Sequence, residues 1–324
     1  MLDVIFERIR FSNRHVSLDF SSKKEEVKSY ISNYLNGPFI APEAVPIAKK
    51  TLKVALTYAY VFQGHRVTVT FLSAKEDVRR VQKLIHLINT VLLIVDALNP
   101  SIIHEPVSIY LFDLEFPKLI ERGKELDYKH VNTGVSYREK IVVYRREEMG
   151  KVLIHELLHR YRFELDKRHS REICQYFGVE SINVNEAYVD ALAMIIHVAI
   201  YAKGHAPTFS KQWRIELRHV YQQALCISRL YHDLYGHQRF VIKEKTNTLS
   251  YFVIKAMLYS SLGLRIPIIR GESDRTQELY DTIISQFPIT SSFWKQIQGI
   301  LSDPKDLYSC RHGTSLRMSI TDCI

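Results

Sequence analysis

The chain has 324 residues, 46% of them hydrophobic and 24% charged, with 12 Gly, 10 Pro and a net charge of +9. That balance excludes a disordered or low-complexity chain and describes a globular protein, long enough for one large core or for two lobes. The four Cys are scattered with no C-x-x-C pair, which predicts free thiols in a reducing compartment.

In chain order, Met1–Arg8 carries charges where the apolar stretch of a signal peptide would lie, so a cytoplasmic location is expected. Residues 1–60 read as an N-terminal extension. It has a short apolar-alternating start, a helix near Ser22–Leu35, and a breaker region at Gly37-Pro38, Pro42 and Pro46. Arg66–Phe71 alternates and is rich in β-branched residues, which predicts a strand. A helix should follow from about Ala74 to Leu98, with Ser73 and Glu76 as a capping box and Asn99-Pro100 as its stop. The longest apolar stretch, Leu84–Leu98, contains His86, Asn89 and Asp96 and is short for a bilayer, so it reads as a buried helix with no membrane span. Val107–Asp113 predicts a second strand. Val131–Ser136 and Ile141–Tyr144 predict a third and a fourth around the polar turn Tyr137–Lys140.

The next helix should begin near Glu147, with Glu147 and Glu148 in its first turn and Arg160 and Arg162 in its last, as the macrodipole favours. It carries His155-Glu156-Leu157-Leu158-His159. Imidazoles four positions apart project from one face and can reach a single metal ion. Glu156 stands about 100° around the helix from His155, where it can act on a metal-bound water without being a ligand. Flanking Val152, Leu153, Ile154, Leu157 and Leu158 predict a buried helix, in which these polar groups need partners. A catalytic zinc also takes a third protein donor. Asp166 and His169 follow the motif closely, while Glu186 and Asp190 share a face of the next apolar helix, Asn185–Ala202. Further helices are predicted over Ser210–Leu234, Leu249–Leu262, Asp274–Gln286 and Phe293–Leu301, and a loosely held tail from Ser302 onward.

H-E-x-x-H followed by a helix bearing Asn185-Glu186-x-x-x-Asp190 resembles the gluzincin branch of the zincin metallopeptidases, which includes the thermolysin-like enzymes. The likeness covers about residues 147–200. It implies an α+β, zincin-like fold. An upper lobe, residues 61–165, would hold a twisted mixed sheet, a backing helix and the motif helix. A mainly α-helical lower lobe, residues 166–324, would supply the third ligand. The resemblance also implies Zn2+ held by His155, His159 and Glu186, with Glu156 as general base and Asp190 orienting His155. A sheet-edge strand, for which Asn132 and Gly134 are the candidates, would bind the polypeptide substrate by strand addition. A Tyr or His of the lower lobe would steady the oxyanion, and His232, Tyr235, His237 and Tyr251 are the candidates.

A metzincin is excluded, because Arg162 and Leu165 stand where its Gly and third His would be. A deformylase-like site needs a Cys upstream of the motif, and none of Cys174, Cys226, Cys310 or Cys323 precedes it. A third ligand at His169 would resemble the SprT-like proteases of DNA–protein crosslinks, a reading compatible with the pI of about 9.2. Basic residues are nonetheless spread widely, with no run of five or more, so nucleic acid is the less favoured partner. The expected activity is zinc-dependent peptide hydrolysis. The alternatives are a basic DNA-associated protease or polyanion-binding protein with a structural zinc, and an inactive peptide-binding pseudoprotease.

Overall fold

The structure, a computed structural model, describes residues 1–15, 22–100, 105–119, 126–137, 139–165, 170–177, 179–235, 245–269, 274–284 and 315–321. It is a mixed α+β fold around one six-stranded sheet, of order β1-β2-β3-β4-β6-β5. The strands are β1 (Ser22–Glu25), β2 (Val54–Phe62), β3 (His65–Ser73), β4 (Val107–Phe112), β5 (Gly134–Tyr137) and β6 (Lys140–Val143). β3, β4 and β6 run parallel, and the outer pairs are antiparallel.

Strand alternation gives the sheet two apolar faces. Val69, Ile109, Ile141 and Val143 enter the larger core with α1 (Leu2–His15), α4 (Val78–Leu98), α6 (Met149–Arg160) and α8 (Val184–Tyr201). Leu72, Phe112, Val142 and Tyr144 meet α2 (Val27–Tyr34) and α3 (Ala44–Thr51) on the other side. Both α4 and α8 are long and apolar enough to cross a membrane, yet most of each is buried within the fold. The remaining helices are α5 (Tyr128–Val131), α7 (Ser170–Phe177), α9 (Ala206–Tyr235), α10 (Lys255–Leu262) and α11 (Asp274–Ile284), with a π-helical turn at Ser250–Ile254 leading into α10.

Several expectations need correction. The start of the chain is helical: Ile5, Ile9 and Ser12 form a buried stripe, and Ser12 Oγ lies 2.7 Å from Thr90 Oγ1 on α4. The helix expected from Ser22 begins only at Val27, because Ser22–Glu25 pair with β2, where tertiary pairing overrides local propensity. Strand β2 was not foreseen. Its hairpin with β3 turns through Gln63 and Gly64, both at positive φ (49° and 84°), as a two-residue turn between twisted strands requires. Ser73 and Glu76 do not cap α4; Asp77 does, accepting from Arg80 N–H at 3.0 Å. The segment from Val131 enters the sheet only at Gly134, since Tyr128–Val131 form the short helix α5.

Glu147 and Glu148 also lie outside the first turn of α6. Glu147 accepts from Lys118 N–H at 2.7 Å, and Glu148, at φ 60°, precedes the helix without capping it. Its buried carboxylate pairs with Lys118 Nζ at 2.8 Å and accepts from Ser319 N–H at 2.6 Å. The segment 315–321 therefore belongs to the core: Leu316, Met318, Ser319 and Thr321 are buried, and Glu216 accepts from Thr321 N–H at 2.6 Å. The expected loose tail is corrected there, while residues 302–314 and 322–324, like the predicted helix Phe293–Leu301, lie outside the described residues. Cys226 is disulfide-bonded, so the expectation of four free thiols fails and no longer argues for a reducing compartment.

Burial opposes the charge on Glu148, yet Lys118 and Lys151 hold its pKa down, from 4.5 to about 2. Its stabilising contribution is complete above the unfolded-state value near 4.5 and drains away as pH falls toward 2. Urea titrations should find Glu148→Gln less stable than wild type by about 3 kcal/mol at pH 7, with a shallower loss of stability through that acid window. An unchanged acid slope would assign the sensitivity to other carboxylates.

Candidate metal centre

Every residue of α6 from Met149 to Leu158 is buried, enclosed by the sheet, α4 and α8. Polar side chains on such a helix must be satisfied inside the protein. His155 and His159 project one turn apart, with their Nε2 atoms 3.1 Å from each other. Glu186, in the first turn of α8, brings Oε2 to 3.2 Å from His155 Nε2 and 3.5 Å from His159 Nε2. Three donor atoms thus converge, all within 4.8 Å of one another. Two neutral imidazoles cannot aim lone pairs at each other across such a gap. A proton or a metal cation belongs between them, and two imidazoles with one carboxylate are a donor set suited to zinc.

The electrostatics divide the two histidines. Burial pushes His155 down to about 3, so it is a neutral imidazole, the form that ligates metal. Burial opposes the charge on His159 too, but Glu186, Glu164 and Glu156 outweigh it and raise the group to about 10. His159 Nδ1 lies 2.8 Å from Glu164 Oε1. Glu164 was missed in the sequence. Its signal is the ending of α6, where Arg162 takes a left-handed conformation (φ 58°) and turns the chain back so that Glu164 faces the second His. Arg162 N–H bonds to His159 O and Phe163 N–H to Leu158 O, each at 3.0 Å, which is the Schellman pattern.

Asp190 lies where the resemblance put it, with Oδ1 3.4 Å from His155 Nδ1, but that nitrogen makes no hydrogen bond. The carboxylate is held instead by two buried ammonium groups, Lys151 Nζ on Oδ1 and Lys255 Nζ at 2.7 Å from Oδ2. Its expected hydrogen bond to His155 is therefore corrected to a near approach. Lys151 could have been suspected, since it sits four positions before His155 on the same helix face. Lys255 gave no sequence signal.

Glu156 is also buried, which raises its pKa to about 8. Above it runs β5, an edge strand that pairs only with β6 among the described residues. A Cβ at Gly134 would lie 2.7 Å from Val152 Cγ1 and 3.1 Å from Glu156 Oε1. The glycine is thus required by the approach of α6 itself, rather than by that of another chain. Asn132 precedes the strand and is a structural tie: its side chain bonds to Phe39 O at 3.0 Å and accepts from Thr246 Oγ1 at 2.7 Å.

A cleft of about 640 Å³ opens over these groups, bordered by Ser136, Arg160, Arg162, Asn183, Asn247 and Tyr251. Of the four oxyanion candidates, the π-helical turn brings Tyr251 into the site, its hydroxyl donating to Glu186 Oε2 at 2.7 Å. His237 lies outside the described residues, as do the side chains of His232 and Tyr235 near the end of α9. Asp166 and His169, the rival third donors, also lie outside them. No protein-family model matches the chain, and no curated protein or solved structure is similar to it.

Proposed function

We propose that the protein is a zinc-dependent peptidase of zincin-like architecture, with His155, His159 and Glu186 as ligands. The observation that carries this reading is the convergence of those three donors beside a buried glutamate, at the floor of a cleft bordered by β5, an edge strand among the described residues. Zinc in a site of this kind lowers the pKa of a bound water to about 7 and polarises a carbonyl oxygen.

The chain's own groups supply the remaining work. Glu156 accepts the proton of the attacking water at its carboxylate and delivers it to the leaving amine. Burial makes its ionised form costly, so a cation held by the three ligands would be what brings Glu156 to the carboxylate form that accepts a proton at neutral pH. Tyr251 donates to Glu186 and stands beside the cleft, where its hydroxyl can turn to a developing oxyanion. Glu164 fixes the ring of His159, as Lys151 and Lys255 fix the carboxylate behind His155. The outer edge of β5 offers backbone groups to an extended polypeptide.

Metal analysis of purified protein should find one zinc per chain. Glu156→Gln should keep the metal and lose peptide hydrolysis by roughly 100- to 10,000-fold, whereas His155→Ala should lose the metal. A protein that takes up no zinc, or a Glu156→Gln variant with undiminished turnover, would falsify the proposal. Glu164→Gln should weaken zinc affinity by about 10- to 100-fold, read by competition with a chromogenic chelator; unchanged affinity would relegate the Glu164–His159 contact to a structural role.

A further inference from the structure

Arg162 occupies a backbone position that suits glycine. It lies in the left-handed region (φ 58°) just past the end of α6, where a residue with a Cβ carries a conformational cost. Among the described residues, no side-chain partner of Arg162 offsets that cost. The side chain is exposed on the wall of the cleft and, among the described residues, has no hydrogen-bond or ion-pair partner. Its neighbour Arg160 differs, because its Nη2 is already committed to Glu105 Oε2 at 2.8 Å and Pro106 O at 3.2 Å. Of the cleft's acids, Glu164 is engaged by His159 and Glu186 by His155 and Tyr251, while Glu156 is buried in α6. Exposed Glu105, held by Arg160, feels the charge of Arg162 only as the lesser influence. Among the described residues, the cleft therefore presents one uncommitted guanidinium, directly after the helix that bears the candidate ligands.

We infer that Arg162 is a specificity-determining residue whose guanidinium binds a carboxylate of the polypeptide in the cleft. A planar fork of N–H donors matches a carboxylate in two-point geometry, and the turn fixes the origin of the side chain relative to His159. The carboxylate comes either from an acidic side chain or from the polypeptide's C-terminus. This inference rests on the peptidase reading only in taking the occupant to be a polypeptide.

The test uses full-length, zinc-loaded protein and a fluorescent peptide library in low salt, since exposed charges are screened at higher ionic strength. Matched peptides carry Glu or Gln at each position, with a free or an amidated C-terminus. Binding is measured by anisotropy on Glu156→Gln protein, so the result does not depend on turnover. Peptides with the recognised carboxylate should bind about 10- to 100-fold more tightly than their neutral counterparts. Arg162→Gly in the same background should abolish that preference, and Arg162→Lys should restore part of it. Because glycine relieves the left-handed backbone, Arg162→Gly should melt at the same temperature as its parent or higher, which separates loss of recognition from loss of fold. A Glu/Gln effect marks a side-chain carboxylate, and a free-acid/amide effect marks the terminus. Equal binding of charged and neutral peptides, or a preference that survives Arg162→Gly, overturns the inference. Failure of wild-type protein to cleave any peptide, with the binding preference intact, overturns the peptidase reading alone.

Discussion

The enclosure of α6 is the constraint on which the rest of the structure depends. A helix buried from Met149 to Leu158 gains from its apolar residues, but it also takes Lys151, His155 and Glu156 out of water. From α8, Asp190 answers Lys151 and Glu186 answers His155, while Glu156 has no hydrogen-bond partner among the described residues. Lys255 from α10 adds a second ammonium to Asp190, and Glu164, from the turn that ends the helix, meets His159. Lys118, Lys151 and Lys255 and the acids Glu148, Asp190 and Glu216 are all buried, and burial pushes the pKa of each lysine down. Removing one member leaves an uncompensated charge, which is why such networks resist piecemeal change.

The same enclosure sorts the acidic groups around His155 and His159 by environment. Glu186 is held well below the usual carboxylate range despite its burial, because His159 and His155 stabilise its charge. Glu156, on the same helix as those histidines, has no such hydrogen-bonding partner and is pushed upward by burial. One carboxylate held ionised and one pushed toward its protonated form thus sit within one site through their environments.

Much of this was legible in the sequence. The spacing of His155, Glu156 and His159 is an i, i+4 statement about one helix, and the apolar flanks announced its burial. Glu186 and Asp190 were legible because they too share a helix face. Strands β3, β4, β5 and β6 and helices α4, α8 and α10 followed from periodicity to within a few residues. What escaped depends on contacts distant in the chain. Ser22–Glu25 are a strand only because β2 lies beside them, and Gln63-Gly64 make a tight turn from an unusual first residue. Lys255 reaches Asp190 across 65 positions, and Ser319 reaches Glu148 across 171. Glu164 was hidden for a different reason. Finding it requires knowing that Arg162 adopts a backbone conformation more typical of glycine.

The placement of Ser319 and Thr321 ties distant parts of the chain together. The segment 315–321 supplies the backbone donors that meet Glu148 at the base of α6 and Glu216 on α9. Its docking is thereby coupled to consolidation of the polar interior, and loosening it would bare buried carboxylates beneath the helix that bears His155 and His159.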